Sequence, residues 1–247
     1  NKIGIIYGFQ NSAPIANDIY LIENFFNEGL RFMQLTYNNQ TPLAGGCFEP
    51  IDSGLSRFGH AVIEEMNRLG MIVDLSHAGK KTCLDAIKFS KKPVAISHAN
   101  PTFFHKSIRN IESDVLKKLV NKNGFIGLSL YPYHLKNLGK CKEEDFTQMI
   151  KDLIQLIGED NIGIGSDLCL NWPNEVVMWM RNGKWTKKID YGESKEKNPE
   201  WPELPSWYNK PGDLKNLFYI LTKNNISEKI SEKIVGTNWL NFMKQHF

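Results

Sequence analysis

The chain has 247 residues, 41% of them hydrophobic and 23% charged, proportions of a folded globular protein long enough for one large domain. Its formal net charge of +3 is small, and basic residues alternate with acidic ones over 114–122 and 140–152, so no concentrated basic stripe of the kind nucleic acid requires is formed. No apolar run approaches the ~20 residues of a membrane span. The opening Asn1-Lys2-Ile3-Gly4-Ile5-Ile6-Tyr7 is too short and wrongly flanked for a signal peptide. A cytoplasmic location is therefore expected, although a chain lacking an initiator methionine leaves open what precedes Asn1.

Short apolar runs then alternate with helical segments. Strands are predicted over 2–9, 31–36, 71–75, 93–97, 124–130 and 161–165, and helices near 17–28, 58–70, 79–89, 112–122 and 143–157. The strands are mostly continuous apolar runs, as in a parallel sheet covered on both faces. Gly70 marks a helix end and Gly124 precedes a strand. Acidic residues at 112–114 and 143–145 suit the positive end of a helix dipole. Such alternation predicts an α/β fold with right-handed crossovers. Six strands fit either an open sheet or a (β/α)8 TIM-type barrel whose first strands are absent from this chain.

Residues 171–211 break the rhythm and are predicted to lack regular structure. They hold Trp172, Trp179, Trp185, Trp201 and Trp207, five of the six tryptophans, with Pro173, Pro199, Pro202, Pro205 and Pro211. A long aromatic insertion of this kind reads as a substrate lid, a packed insertion or a subunit interface. Residues 213–246 read as closing helices. Cys47, Cys83, Cys141 and Cys169 include no Cys-x-x-Cys pair and are expected to be reduced and unpaired.

Three strand-like runs end in residues suited to metal binding or proton transfer. Ile72-Val73-Asp74-Leu75-Ser76 leads to His77, Val94-Ala95-Ile96-Ser97 to His98, and Ile162-Gly163-Ile164-Gly165-Ser166 to Asp167. In a (β/α) barrel, the C-terminal strand ends converge on the catalytic face. Neutral imidazoles on adjacent strands suit zinc or a similar ion. Asp167 is placed to activate or orient a water there, or to cap the segment that follows. Arg109, in the polar loop His105-Lys106-Ser107-Ile108-Arg109-Asn110, carries a planar fork suited to a substrate carboxylate; the other reading is a surface arginine.

Gly54-Leu55-Ser56-Arg57-Phe58-Gly59 and the run from Glu65-Met66-Asn67-Arg68-Leu69-Gly70 to Ser76-His77 resemble the membrane (renal-type) dipeptidases, peptidase family M19. Pro93 to His98, Arg109-Asn110 with Asp114, and Gly163-Ile164-Gly165-Ser166-Asp167 continue the resemblance in order. It implies a metal-dependent amidohydrolase barrel spanning 1–247 as one domain, with 171–211 inserted. It implies a site of two zinc ions bridged by a glutamate, acting on dipeptides. By this match His77 and His98 take the places of the second zinc's histidines, Arg109 that of the substrate-carboxylate arginine and Asp167 that of the catalytic aspartate.

The departures from that pattern are specific. The His-x-Asp pair of the family's first strand is missing, and the bridging-glutamate position reads Gly8-Phe9-Gln10-Asn11. Gln10 is neutral, and an amide oxygen is a weak ligand for one ion. Two dications ~3.5–4 Å apart repel strongly without a bridging charge. One zinc ion, held by His77, His98 and Gln10, is therefore expected rather than two. Tyr37 stands where the dipeptidases place a carbonyl-polarising histidine, and its phenol still offers a hydrogen bond to an oxyanion or to bound substrate. The Gln10 and Tyr37 runs resemble a bacterial M19-like subgroup. The leading expectation is a metallo-dipeptidase acting on a dipeptide or related small amide. The alternative is a barrel that keeps the pocket and serves as a small-molecule binding or accessory protein. A homodimer is expected by analogy with relatives.

Overall fold

A computed structural model describes residues 4–182 and 200–247; Trp185 and Pro199 of the aromatic insertion lie outside the described residues. The chain divides into two compact units. The first comprises Asn1–Ser97, Asp114–Phe125 and Asn241–Phe247, and the second His98–Ser113 and Ile126–Leu240.

The first unit carries β1 (Tyr7–Phe9), α1 (Tyr20–Asn27), β2 (Leu30–Gln34), α2 (Arg57–Leu69), β3 (Ile72–Asp74), α3 (Lys80–Phe89), the start of β4 (Ala95–Ala99) and most of α4 (Ser113–Val120). Its strands pair in parallel, with Phe32 opposite Ile72, Met33 opposite Val73, Gln34 opposite Asp74 and Asp74 opposite Ala95. Every residue of β3 is buried, which explains its unbroken apolar character apart from Asp74. α2 has both ends closed locally. The Ser56 side chain accepts from the Gly59 amide, and Gly70, at φ 85°, adopts the left-handed conformation that ends the helix and donates to Met66 O. Between these caps Val62, Ile63 and Met66 are buried on one face.

The second unit carries most of β5 (Phe125–Leu128), α5 (Glu143–Ile157), β6 (Ile162–Ile164), α6 (Asn174–Asn182), α7 (Leu214–Lys223), α8 (Glu228–Glu232), a π-helical turn over Lys233–Thr237 and the start of α9 (Asn238–Met243). Here β5 and β6 pair in parallel, Ile126 opposite Ile162 through Leu128 opposite Ile164. Glu143, Glu144 and Asp145 occupy the first turn of α5 as the dipole favours. The strand order is chain order, β1 to β6.

Every predicted strand and helix is present, with two corrections. The first strand is shorter than residues 2–9: residues 4–6 lie outside it, and Ile5 and Ile6 are 73% and 45% exposed. Among the described residues β1 has β2 as its one partner, so its N-terminal half gains neither a second ladder nor burial. The second correction concerns 171–211, which contains α6. Pro173 precedes the helix, Glu175 lies in its first turn, and Val177 is buried at a helical position that the tryptophans and prolines obscured in the sequence. The four cysteines are free thiols, as expected.

Candidate metal and acid–base site

His77 lies three residues beyond the end of β3, with the side chain buried. Its Nδ1 is 2.7 Å from Asn38 Oδ1, and its ring stacks on Tyr37 with centroids 4.2 Å apart and planes 27° from parallel. The loop carrying Tyr37 and Asn38 is pinned to the same strand end. The Cys47 amide donates to His77 O at 2.9 Å, and the Phe48 amide to Asn38 O at 2.9 Å. With Asn38 Oδ1 as acceptor, the ring proton sits on Nδ1 and the lone pair on Nε2. That is the tautomer of a histidine that binds a metal through Nε2.

Asp74 organises the residues before both histidines. Its carboxylate is 3% exposed, a costly place for a charge unless hydrogen bonds answer it. They do. Oδ1 accepts from the Ser76 amide (3.1 Å), Ser76 Oγ (2.7 Å) and the Ser97 amide (3.0 Å). Oδ2 accepts from Gln34 Nε2 (3.1 Å) and Ser97 Oγ (2.5 Å). The two serine hydroxyls are themselves 2.9 Å apart.

In the second unit, His98 and Asp167 come together. His98 is buried, and its Nε2 stands 4.0 Å from Asp167 Oδ1, within reach of an ion pair but beyond a hydrogen bond. Asp167 adopts φ 53°, a left-handed conformation that is uncommon outside glycine and costs on the order of 1 kcal/mol. Its neighbour Ser166 is held on two sides: Ser166 O accepts from the Leu130 amide at 3.2 Å, and its side chain hydrogen-bonds the buried Tyr208 phenol. Burial pushes the Tyr208 phenol upward, the bond to Ser166 opposes that, and the Asp213 carboxylate adds to the rise.

Arg109 is not a surface residue: it is 1% exposed. It rides on a loop closed by paired asparagines. Asn110 Oδ1 accepts from the Asn100 amide at 3.0 Å, and Asn110 Nδ2 donates to His105 O and His134 O. The Asn100 side chain in turn exchanges hydrogen bonds with the Ser129 backbone at both ends. The loop that carries this buried arginine is thus closed by hydrogen bonds, and the guanidinium's planar fork is of the kind that recognises a carboxylate.

Thus the structure brings Tyr37 to His77 and Asp167 to His98. Gln10 is exposed, one residue after β1. Among the described residues, no group of three or more His, Cys, Asp or Glu side chains is arranged to hold a metal ion. Asp74 and Asn38 are additional to the residues expected from sequence. For Asp74 the signal was present: a carboxylate inside an apolar strand run. Asn38 carried no signal beyond adjacency to Tyr37.

The membrane dipeptidase model, peptidase family M19, matches residues 1–173. An uncharacterized dipeptidase of Schizosaccharomyces pombe is 31% identical over 172 residues, covering 67% of this chain and 41% of that protein. The dipeptidase tcpJ of Claviceps purpurea is 29% identical over 204 residues, covering 76% and 48%. The chain therefore spans less than half the length of these curated relatives. Among solved structures, an amidohydrolase from Pseudomonas aeruginosa superimposes with a TM-score of 0.91 at 32% identity, covering 98% of this chain and 72% of that one. A metallo peptidase from Rhodobacter sphaeroides, liganded with a phosphinate mimic of L-Ala-D-Ala, shares the fold with a TM-score of 0.78 at 20% identity, over 98% and 63%. The α/β fold is that of the amidohydrolase type of TIM barrel.

Proposed function

Because the chain belongs to the membrane dipeptidase family, peptidase family M19, we propose that it is a metal-dependent hydrolase that cleaves a dipeptide or a related small amide. The observation that carries this reading is the register of β3 and β4. Asp74 pairs with Ala95, so His77 and His98 each lie three residues beyond the paired positions. Each histidine thus stands at the same offset from the pairing as its neighbour, the position at which the family resemblance puts a zinc histidine. The donor set fits a single zinc better than a pair. Two imidazoles are present, Asn38 Oδ1 stands at His77 Nδ1 as an acceptor, and Gln10 offers only an amide oxygen where the family has a bridging carboxylate.

Zinc, when bound, supplies Lewis-acid polarisation and lowers the pKa of water toward ~7. The chain's own groups do the rest. Asp167 takes the proton of the attacking water and returns it to the leaving amine. Arg109 holds the substrate carboxylate. Tyr37 donates a hydrogen bond to the oxygen that gains charge. Residues 1–247 are read as one barrel domain with 171–211 inserted. In support, the boundary between the two compact units falls inside β4, after Ser97. Assembly as a homodimer and a cytoplasmic location complete the proposal; no described helix is long and apolar enough to cross a membrane.

The test is elemental analysis of protein purified without chelators, paired with hydrolysis of dipeptides including those with a D-residue in second position. One zinc per chain, with turnover lost on chelation and regained with zinc, is expected. Undiminished turnover in a His77→Ala, His98→Ala double variant overturns the metal assignment. Protein that takes up no zinc and hydrolyses no dipeptide returns the chain to the binding-protein alternative.

A further inference from the structure

We propose that Asp74 is a positioning residue that sets the spacing of the two histidine-bearing strand ends. The inference rests on the metal reading above and goes beyond it by assigning the part that holds the two candidate ligands in place.

Asp74 is the last residue of β3, and its side chain engages the serine before each histidine. Ser76 precedes His77 and Ser97 precedes His98. Oδ1 takes both serine amides and one hydroxyl, while Oδ2 takes the other hydroxyl. The clamp therefore spans the β3 and β4 ends at the equivalent position of each, one residue before the imidazole. The hydroxyls also face each other at 2.9 Å. Two hydroxyl hydrogens thus serve three short contacts, so the carboxylate and both serines act as one unit rather than as separable pairs. Gln34, at the end of β2, adds a third strand through its Nε2. Its Oε1 is buried without a hydrogen-bond partner among the described residues, so the glutamine is aimed at Asp74 at the expense of its own acceptor.

Economy of folding does not explain this arrangement. The β3 residues before it, Ile72 and Val73, are apolar and fully buried, and an apolar residue at 74 would complete the run with no charge to desolvate. A buried carboxylate is justified where a distance must be held. An imidazole that must meet an ion at ~2.0–2.1 Å is such a case, because a strand end that shifts by an ångström no longer presents its ring to the ion.

The test compares the wild type with Asp74→Asn, Ser97→Ala and Ser97→Thr. Asp74→Asn keeps the volume and an Oδ1 that accepts amides, but its amide nitrogen cannot accept from Ser97 Oγ. Two readouts are taken. Zinc affinity is measured against a competing chromophoric chelator, and deuterium uptake is followed in metal-free protein at the segments holding Ser76 and Ser97. Zinc affinity about 10- to 100-fold weaker in Asp74→Asn and Ser97→Ala, restored in Ser97→Thr, is expected. A side chain serving stability alone lowers the melting temperature and leaves affinity in the folded protein unchanged, and that result overturns the proposal. Uptake at both segments at least tenfold faster in Asp74→Asn is expected as well, and uptake at the wild-type rate refutes the clamp. Wild-type protein that takes up no zinc defeats the metal reading instead, and the uptake comparison still decides whether Asp74 ties the strand ends.

Discussion

The ends of β3 and β6 deliver their chemical groups in opposite ways. At β3, His77 is hydrogen-bonded through Nδ1, stacked by Tyr37, reached by the Cys47 amide through its carbonyl, and preceded by a serine bonded to Asp74. At β6, Asp167 is presented by a left-handed backbone turn, and its carboxylate lies 4.0 Å from the nearest imidazole nitrogen. A metal ligand must be fixed in direction before the ion arrives, so bonds from every side help it. A group that takes and returns a proton must keep its oxygens open to substrate, and a backbone turn aims it without occupying those oxygens. Under the proposed function, the contrast is between a preorganised ligand and a half-buried acid–base group.

Asp167→Asn tests the β6 half of that contrast and carries the largest expected effect. Asparagine tolerates positive φ nearly as well as any residue but glycine, so the turn survives and only the charge is lost. Turnover should fall about 10²- to 10⁴-fold with zinc content and KM little changed. A loss of zinc in this variant would place Asp167 among the ligands and erase the distinction. Asn38→Leu tests the β3 half. Without the acceptor on Nδ1, the imidazole loses its fixed tautomer and direction, and zinc should bind about 10- to 100-fold more weakly. Wild-type affinity would mean that the stacked Tyr37 ring alone orients His77.

Much of this is legible in the sequence. His77, His98 and Asp167 stand out because each ends an apolar run, and strand ends are where a parallel α/β fold gathers its chemistry. The C-terminal cap of α2 was readable from Gly70. What was not legible depended on pairing. The serines become partners of one carboxylate only when Asp74 falls opposite Ala95, and a single sequence does not fix the register of two strands distant in the chain. Arg109 was ambiguous for the same reason: its burial follows from the Asn100–Asn110 closure, which no local pattern announces. α6 was hidden because Pro173 and the tryptophans around it read as loop, although proline before a helix is a start signal.

The exposed aromatics near Asp167 give a smaller test. Trp172 and Trp179 are each 57% exposed, whereas Trp207 donates to Cys141 O at 2.7 Å and packs on Phe146. If the segment after Asp167 covers substrate, a saturating non-hydrolysable dipeptide analogue should shift tryptophan emission, and Trp179→Phe should remove most of the shift while Trp207→Phe does not. A silent response in the wild type excludes the lid and leaves a packed insertion.

The last comparison lies within the first unit, between two buried histidines. His77 has a partner for Nδ1, while neither ring nitrogen of His246 has a hydrogen-bond partner among the described residues. His246 packs edge-on against Phe242 with centroids 5.0 Å apart. Burial, reinforced by the Lys92 ammonium, holds it well below the ordinary imidazole value of 6.5, at about 4. The folded protein therefore refuses a proton that the unfolded chain accepts. Above pH 6.5 both states are neutral and the group contributes nothing to pH dependence. As pH falls from 6.5 toward 4, stability drops, at most about 1.4 kcal/mol per pH unit. Below about 4 both states are protonated and this contribution levels off. His246→Phe removes the titrating group from an apolar site, so denaturant unfolding should show a flatter decline between pH 6.5 and 4 with little change at pH 7.5. An acid limb as steep as the wild type's would mean that His246 is protonated in the folded state by a route its buried position does not reveal, and that burial without a partner does not distinguish it from His77.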